Sequence, residues 1–203
     1  MPREIVYQGA EAIIYKESDV IVKNRAVKGY RIPELDLRIR KLRTRAEQKL
    51  LNKARRAGVD VPRVLDSDES SFSMELIKGE KLKNCLDDLD AKKRKSVYEI
   101  IGNSISLLHK VGVIHGDLTT SNMIFHENKV YFIDFGLGKF SMKTEDQATD
   151  MYLLHEALKS THLKLLKEAW DTIINAYKDK YTNSNEVITK IDKISKRRRY
   201  LGE

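Results

Sequence analysis

A chain of 203 residues, 41% of them hydrophobic, with 10 glycines and 3 prolines, can bury a sizeable core, which excludes a disordered or collagen-like polymer. Its one cysteine, Cys85, excludes an intramolecular disulfide framework, and no apolar run approaches the ~18 residues of a membrane span. Thirty-eight Lys and Arg against 30 Asp and Glu leave a formal charge of +8, which suits an anionic partner but equally serves solubility and alone decides neither.

The first third alternates short β-branched runs with turn residues. Glu4–Gln8, Ala12–Tyr15 and Val20–Lys23 read as a three-stranded meander, punctuated by Gly9 and by Glu17-Ser18-Asp19. The opening MPREIVYQGA has no signal-peptide core, so the expected setting is cytoplasmic. From Pro33 to Ala57 the period changes. Leu35, Ile39, Leu42, Ala46, Leu50 and Ala54 recur every three or four residues, which predicts one long helix stopped by Gly58. Val61–Leu65 and Phe72–Ile77 predict two more strands, giving a five-stranded sheet with one long helix inserted.

After Gly79 the pattern is mainly helical. Asp90 is placed to cap a helix that carries Val97, Ile100, Ile101, Ile105 and Leu108 and ends at Gly112. Met123–Phe125 and Val130–Ile133 are short strands around the turn His126–Lys129. Three helical stretches follow, near 145–158, 162–180 and 184–199. The expected fold is α+β, one domain in two lobes: a β-rich lobe over 1–77 and a small helical lobe over 78–203. A crevice between such lobes is the default place for a ligand.

The densest polar cluster is His115-Gly116-Asp117-Leu118-Thr119-Thr120-Ser121-Asn122, and Asp134-Phe135-Gly136 begins twelve residues after Asn122. Residues of these types also form turns, and a turn alone would need no chemistry. The spacings carry more than that. Phosphoryl transfer needs a carboxylate to orient or accept the proton of the attacking oxygen, here Asp117. It also needs an amide oxygen and a second carboxylate to hold Mg²⁺ against the phosphates, here Asn122 and Asp134.

The pattern resembles the protein-kinase-like fold over almost the whole chain. By that resemblance Lys23, on the third strand, holds the α/β-phosphates of ATP, and Glu47 in the long helix is its ion-pair partner. Glu47 is also the only acid among nine Lys and Arg between Arg38 and Arg56, so relief of that charge is a second reason for it. Met74-Glu75-Leu76-Ile77 resembles the hinge, where the Glu75 carbonyl and Ile77 amide would meet the adenine edge and Met74 would line the pocket. Gln8-Gly9-Ala10-Glu11-Ala12 stands in the place of the glycine-rich phosphate loop, with a single glycine. Asp150 resembles the helix aspartate that props up the catalytic loop, and His115 the histidine that pins it.

Several departures narrow the family. Gly116 stands where His-Arg-Asp has its arginine, and Thr119 where many Ser/Thr kinases have a lysine. Only 16 positions separate Asp134 from Asp150, with no Ala-Pro-Glu between them, so no peptide-docking platform is expected. The His115–Asn122 run, the Gln-Gly-Ala-Glu-Ala loop, Lys28-Gly-Tyr-Arg31-Ile-Pro33-Glu-Leu-Asp36 and Arg43-x-Arg45-x-Glu47 together resemble the PRPK-type small atypical Ser/Thr kinase/ATPase subunits of the KEOPS complex. RIO kinases, with a longer Gly-Lys-Glu phosphate loop, and antibiotic phosphotransferases, with a larger helical lobe, resemble the chain less.

The resemblance implies ATP and Mg²⁺ as cofactors and ATPase or Ser/Thr phosphotransferase activity. It implies as partners a threonylcarbamoyl-transferase subunit and other small KEOPS subunits, in making tRNA threonylcarbamoyladenosine, away from any membrane. A second reading is a catalytically weak scaffold that binds nucleotide, partner protein and tRNA. The basic helix Arg38–Arg56 and the tail Lys196–Arg199 are candidates for sequence-blind contact with tRNA phosphates.

Overall fold

The computed structural model describes residues 4–200, the last three by their backbone alone. Strands β1 (Glu4–Gln8), β2 (Ala12–Glu17) and β3 (Val20–Arg25) form the expected meander, and β3 runs two residues further than the apolar pattern reaches. Helix α1 (Pro33–Arg56) begins with proline in its first turn, carries Glu34 and Asp36 there, and ends in Lys53, Arg55 and Arg56. That distribution complements the helix dipole at both ends. Gly58 follows at φ +91°, a conformation that stops a helix and suits glycine.

Strand β4 (Val64–Ser67) starts three residues later than the sequence pattern suggests. Val59 and Val61 are buried in the core but outside the ladder, and Pro62 has no N–H to donate to one. With β5 (Ser71–Glu75) the antiparallel sheet is complete, in the order β1-β2-β3-β5-β4. One face of α1, with Thr44, Glu47, Leu50, Leu51 and Ala54, is buried.

The other half opens with β6 (Glu80–Lys81) and the single turn α2 (Leu82–Cys85). Helix α3 (Ala91–Lys110) is capped as expected: the Asp90 carboxylate accepts the Lys93 N–H at 2.9 Å. Strand β7 (Val113–Ile114) precedes the catalytic-loop motif, and β8 (Met123–His126) and β9 (Lys129–Phe132) follow it as a hairpin. Its turn residues Glu127 and Asn128 both have positive φ, matching the right-handed strand twist. Strand β6 joins this hairpin to make a three-stranded sheet, and β10 (Lys139–Phe140) pairs with β7. Helices α4 (Thr144–Thr161), α5 (Leu166–Lys180) and α6 (Ser184–Tyr200) complete the fold.

The core is continuous from Leu50 and Phe72 beneath the large sheet, through Phe132 and Phe135, to Tyr98 and Tyr177 between α3 and α5. Helix α3 lies close against α5 at Gly102, where a Cβ would lie 2.4 Å from the Ile173 carbonyl oxygen. No helix among the described residues is long and apolar enough to cross a membrane.

Candidate active site

The pleat of β3 turns Lys23 and Arg25, two residues apart, to the same face and toward α1. Lys23 Nζ donates to Glu47 Oε1 at 2.7 Å and to Asp134 Oδ1 at 2.7 Å, and Arg25 Nη2 donates to Glu47 Oε2. Lys23, Arg25 and Glu47 retain only 4%, 5% and 2% of their exposure. Charges this deeply buried persist only when each has a hydrogen-bonded counter-charge. The row Arg25–Glu47–Lys23–Asp134 meets that condition, with two cations and two carboxylates in alternation.

Asp134 follows β9 in the left-handed region, at φ +61°, a conformation aspartate tolerates better than most side chains. Burial pushes its carboxyl up, but the Lys23 ammonium, by charge and hydrogen bond, outweighs this with help from the Gly136 N–H at 3.1 Å. The carboxyl is therefore held below the usual carboxylate range. It stands half-exposed at the edge of the cleft.

The loop from His115 to Asn122 is anchored from three sides. Asp150, 1% exposed, accepts the backbone N–H groups of His115 and Gly116, each at 2.8 Å. His115 Nε2 donates to the Ile133 carbonyl at 3.1 Å while Nδ1 accepts the Asp117 N–H at 3.3 Å, which fixes the tautomer, and Phe135 lies against the ring. Thr120 Oγ1 meets His162 Nε2 at 3.1 Å, and His162 Nδ1 meets Asp87 at 2.6 Å. Asn122 Nδ2 donates to the Asp117 carbonyl oxygen at 2.9 Å and to Asp117 Oδ2 at 2.8 Å. Both amide hydrogens face Asp117, so the Asn122 amide oxygen is left for another ligand.

The absence of an arginine at position 116 has a steric reason. Gly116 has φ +82°, and a Cβ there would lie 2.3 Å from the Leu137 carbonyl oxygen. The β7–β10 pairing lays the segment after Asp134-Phe135-Gly136 directly over this residue, which excludes any side chain.

A cavity of about 210 Å³ opens between the β1–β2 hairpin and these loops. Of the residues singled out in the sequence, Gly9, Ala10, Glu11, Lys23, Asp117 and Asp134 line it. Asn122 sits beside Asp117, and Glu47 stands behind Lys23. Gln8, Met74, Glu75 and Ile77 lie outside this cavity. At the hinge the Glu75 N–H bonds the Arg63 carbonyl and the Leu76 N–H bonds the Asp19 carbonyl. The Glu75 carbonyl and Ile77 amide are not part of either bond. Arg25, Tyr7 and Leu137 also line the cavity, and sequence reasoning passed over all three. Only Arg25 carried a signal, its i+2 spacing from Lys23. A larger hollow, about 340 Å³, lined by Lys95, Glu99, Asn103 and Asp179, contains none of the site groups.

The phosphate-loop equivalent is short and tied down. The Gly9 N–H bonds the Ala12 carbonyl at 3.0 Å, Lys28 Nζ donates to the Ala10 carbonyl, and Arg43 pairs with Glu11. Buried Asp36 receives the Lys28 N–H, Arg31 and Arg40, which accounts for the Lys28–Asp36 motif as a bracket for this loop.

The RIO domain matches residues 14–156, a stretch that holds Lys23, Glu47, Asp117, Asn122, Asp134 and Asp150. The KEOPS complex subunit Bud32 of Pyrococcus abyssi is 42% identical over 97% of this chain and 96% of its own length. The chain belongs to the Bud32 family of RIO-domain proteins. The RIO-domain match agrees with the kinase-like reading, and the Pyrococcus relative with the resemblance to the PRPK-type subunits. A probable bifunctional tRNA threonylcarbamoyladenosine biosynthesis protein of Methanothermobacter thermautotrophicus is 39% identical over 98% of this chain, which spans 37% of that protein. The Rio2 kinase–ADP/Mg²⁺–phosphoaspartate complex from Chaetomium thermophilum shares the fold of the Bud32-family chain. Its TM-score is 0.63 at 14% identity, covering 96% of this chain and 70% of that one.

Proposed function

We propose that this Bud32-family chain is an ATP-dependent phosphotransferase and ATPase. It would serve as the ATP-using subunit of a KEOPS-type complex that makes tRNA threonylcarbamoyladenosine in the cytoplasm. The observation that carries the chemistry is the meeting of Lys23, Asp117 and Asp134 at one cavity, with Asn122 bonded to Asp117. In this reading Lys23 exchanges Asp134 for the phosphates of ATP, and Glu47 fixes Lys23 from behind. Gly9, Ala10 and Glu11 cover the phosphates, while Met74, Glu75 and Ile77 take the base. Asp117 is steadied through Oδ2 by Asn122, leaving Oδ1 to orient the attacking hydroxyl or water.

The donor set suits Mg²⁺. Asn122 and Asp134 would offer it an amide oxygen and a carboxylate, and among the described residues no cluster of three or more His, Cys, Asp or Glu could hold a metal unaided. Two protein oxygens fit an ion that keeps its waters and arrives with phosphate ligands. When bound, the metal neutralises the charge that develops on the transferring phosphate. Ten residues from Asp134 to α4 leave no peptide platform, which favours hydrolysis or autophosphorylation within a complex.

The test is release and transfer of label from γ-labelled ATP with Mg²⁺, with and without tRNA and partner subunits. Asp117→Ala is expected to lower the total by ~10²-fold or more. Equal turnover in the two proteins would overturn the reading. The single-glycine loop favours the scaffold alternative, and ATP bound by wild type without turnover under any condition would select it.

The reading includes a contact with tRNA along α1. Arg38, Arg45, Lys49, Lys53 and Arg56 are exposed on one helix face about 27 Å long, and none forms an ion pair among the described residues. Of the tail, Arg197 lies 3.7 Å from Glu145, whereas the side chains of Arg198 and Arg199 lie outside the described residues. Neutralising Arg45 and Lys49 together is expected to reduce the salt slope of tRNA binding by about two. A slope that stays at its wild-type value removes the helix from the contact.

A further inference from the structure

A phosphate-site lysine needs one carboxylate behind it, and here that carboxylate has two cations. Glu47 gives one oxygen to Lys23 and the other to Arg25. Lys23 is itself divided between Glu47 and Asp134, and it must leave Asp134 when a nucleotide takes its ammonium. A buried carboxylate whose only partner changes sides would lose its fixed geometry. We propose that Arg25 is a positioning residue of the nucleotide site: it holds Glu47, and α1 with it, in register while Lys23 changes partner. This rests on the nucleotide-site reading above.

Four further observations support the assignment. The backbone of Arg25 is clamped on both sides, paired with Ala12 on β2 and donating its N–H to the Ser70 carbonyl at 3.1 Å. Its guanidinium flanks the Asp-Phe-Gly segment, where a Cβ at Gly136 would lie 3.5 and 3.6 Å from its two terminal nitrogens. A planar fork can meet a carboxylate with one nitrogen while lying along that backbone, which lysine does less well. Arg25 Nε is buried without a hydrogen-bond partner, which costs stability. Finally, no arginine stands at Gly116, and the cations that pair with Glu47 among the described residues, Lys23 and Arg25, both come from β3.

The test uses the full chain with Mg-ATP and compares Arg25→Gln, Arg25→Lys, Glu47→Gln and the double variant R25Q/E47Q. Arg25→Gln is expected to lower kcat by roughly ten- to a hundredfold with a much smaller change in KM, since it displaces a group that must be positioned to within an ångström. Arg25→Lys, which keeps the charge and one donor, should recover part of the loss. On the Glu47→Gln background, Arg25→Gln should cost nothing further, because the arginine acts through that carboxylate. An effect confined to KM, or one that adds fully to that of Glu47→Gln, would make Arg25 a phosphate ligand or a general prop and overturn the proposal. Amide exchange over Thr44–Ala54 without nucleotide gives an independent reading. It should quicken in Arg25→Gln while α3 is unchanged, and unchanged exchange in α1 also overturns the proposal. If wild type neither binds nor turns over ATP, the nucleotide reading falls, and the exchange measurement still decides whether Arg25 holds Glu47.

Discussion

Replacing Asp134 by asparagine is expected to lower ATP turnover by on the order of 10²–10³ or more, with little change in the fold. Asparagine tolerates the left-handed backbone that Asp134 adopts, so the substitution isolates the charge from the conformation. Lys23 keeps its 2.7 Å bond to Glu47, so the buried ammonium is not orphaned. What disappears is the carboxylate charge at the edge of the cleft and, in the reading proposed above, the partner that Lys23 exchanges for phosphate. Turnover with Mg²⁺, measured beside a thermal melt, checks both halves of the expectation. A variant that melts normally and keeps wild-type turnover would remove Asp134 from the chemistry. The same contact sets a pH dependence. Lys23 outweighs burial and holds the Asp134 carboxyl low, so the contact contributes to stability above the ordinary carboxylate range. That contribution is lost only as pH falls through the depressed value.

The second large effect concerns stability. Asp150→Ala is expected to cost about 2–4 kcal/mol, because the buried His115 N–H and the part-buried Gly116 N–H both lose their acceptor, at about 1–3 kcal/mol for a fully buried group. Against a typical total of about 5–15 kcal/mol, that loss is severe. Both N–H groups belong to the residues that lead into Asp117, so activity should fall with stability. Asp150→Asn should be milder, since its amide oxygen can still accept from one of the two. Urea midpoints at constant m-value provide the measurement, and a shift worth under about 1 kcal/mol would show that the loop is held elsewhere.

The elements that the sequence announced are those with enough length to display a period. The meander, the helix stopped by Gly58, the Asp90-capped helix and the hairpin of β8 and β9 were all legible. The two-residue strands β6, β7 and β10 were not, because two residues cannot show alternation and their pairing is set by tertiary contact. Val61 misled for a related reason: apolar character reports burial, and burial at Val59 and Val61 comes without a ladder. In the site, the residues with fixed chemical spacing, Asp117, Asn122 and Asp134, could be located from the chain alone. Arg25 could not, since a cation at a strand end usually reads as solvent-facing, and its burial depends on α1 folding back over β3. Nor could the steric veto on position 116, which arises from Leu137, a residue 21 positions away.

The link between Asp134 and α4 has one more consequence. The Ser141 N–H bonds the Gly112 carbonyl at 2.8 Å, and β10 is stitched to β7, so little slack remains between the Asp134 loop and Thr144. A kinase that stores its history does so in a loop able to be modified, released and folded again. Here only seven residues lie between Gly136 and Thr144, too few for such a loop, and that segment carries no memory of earlier signals.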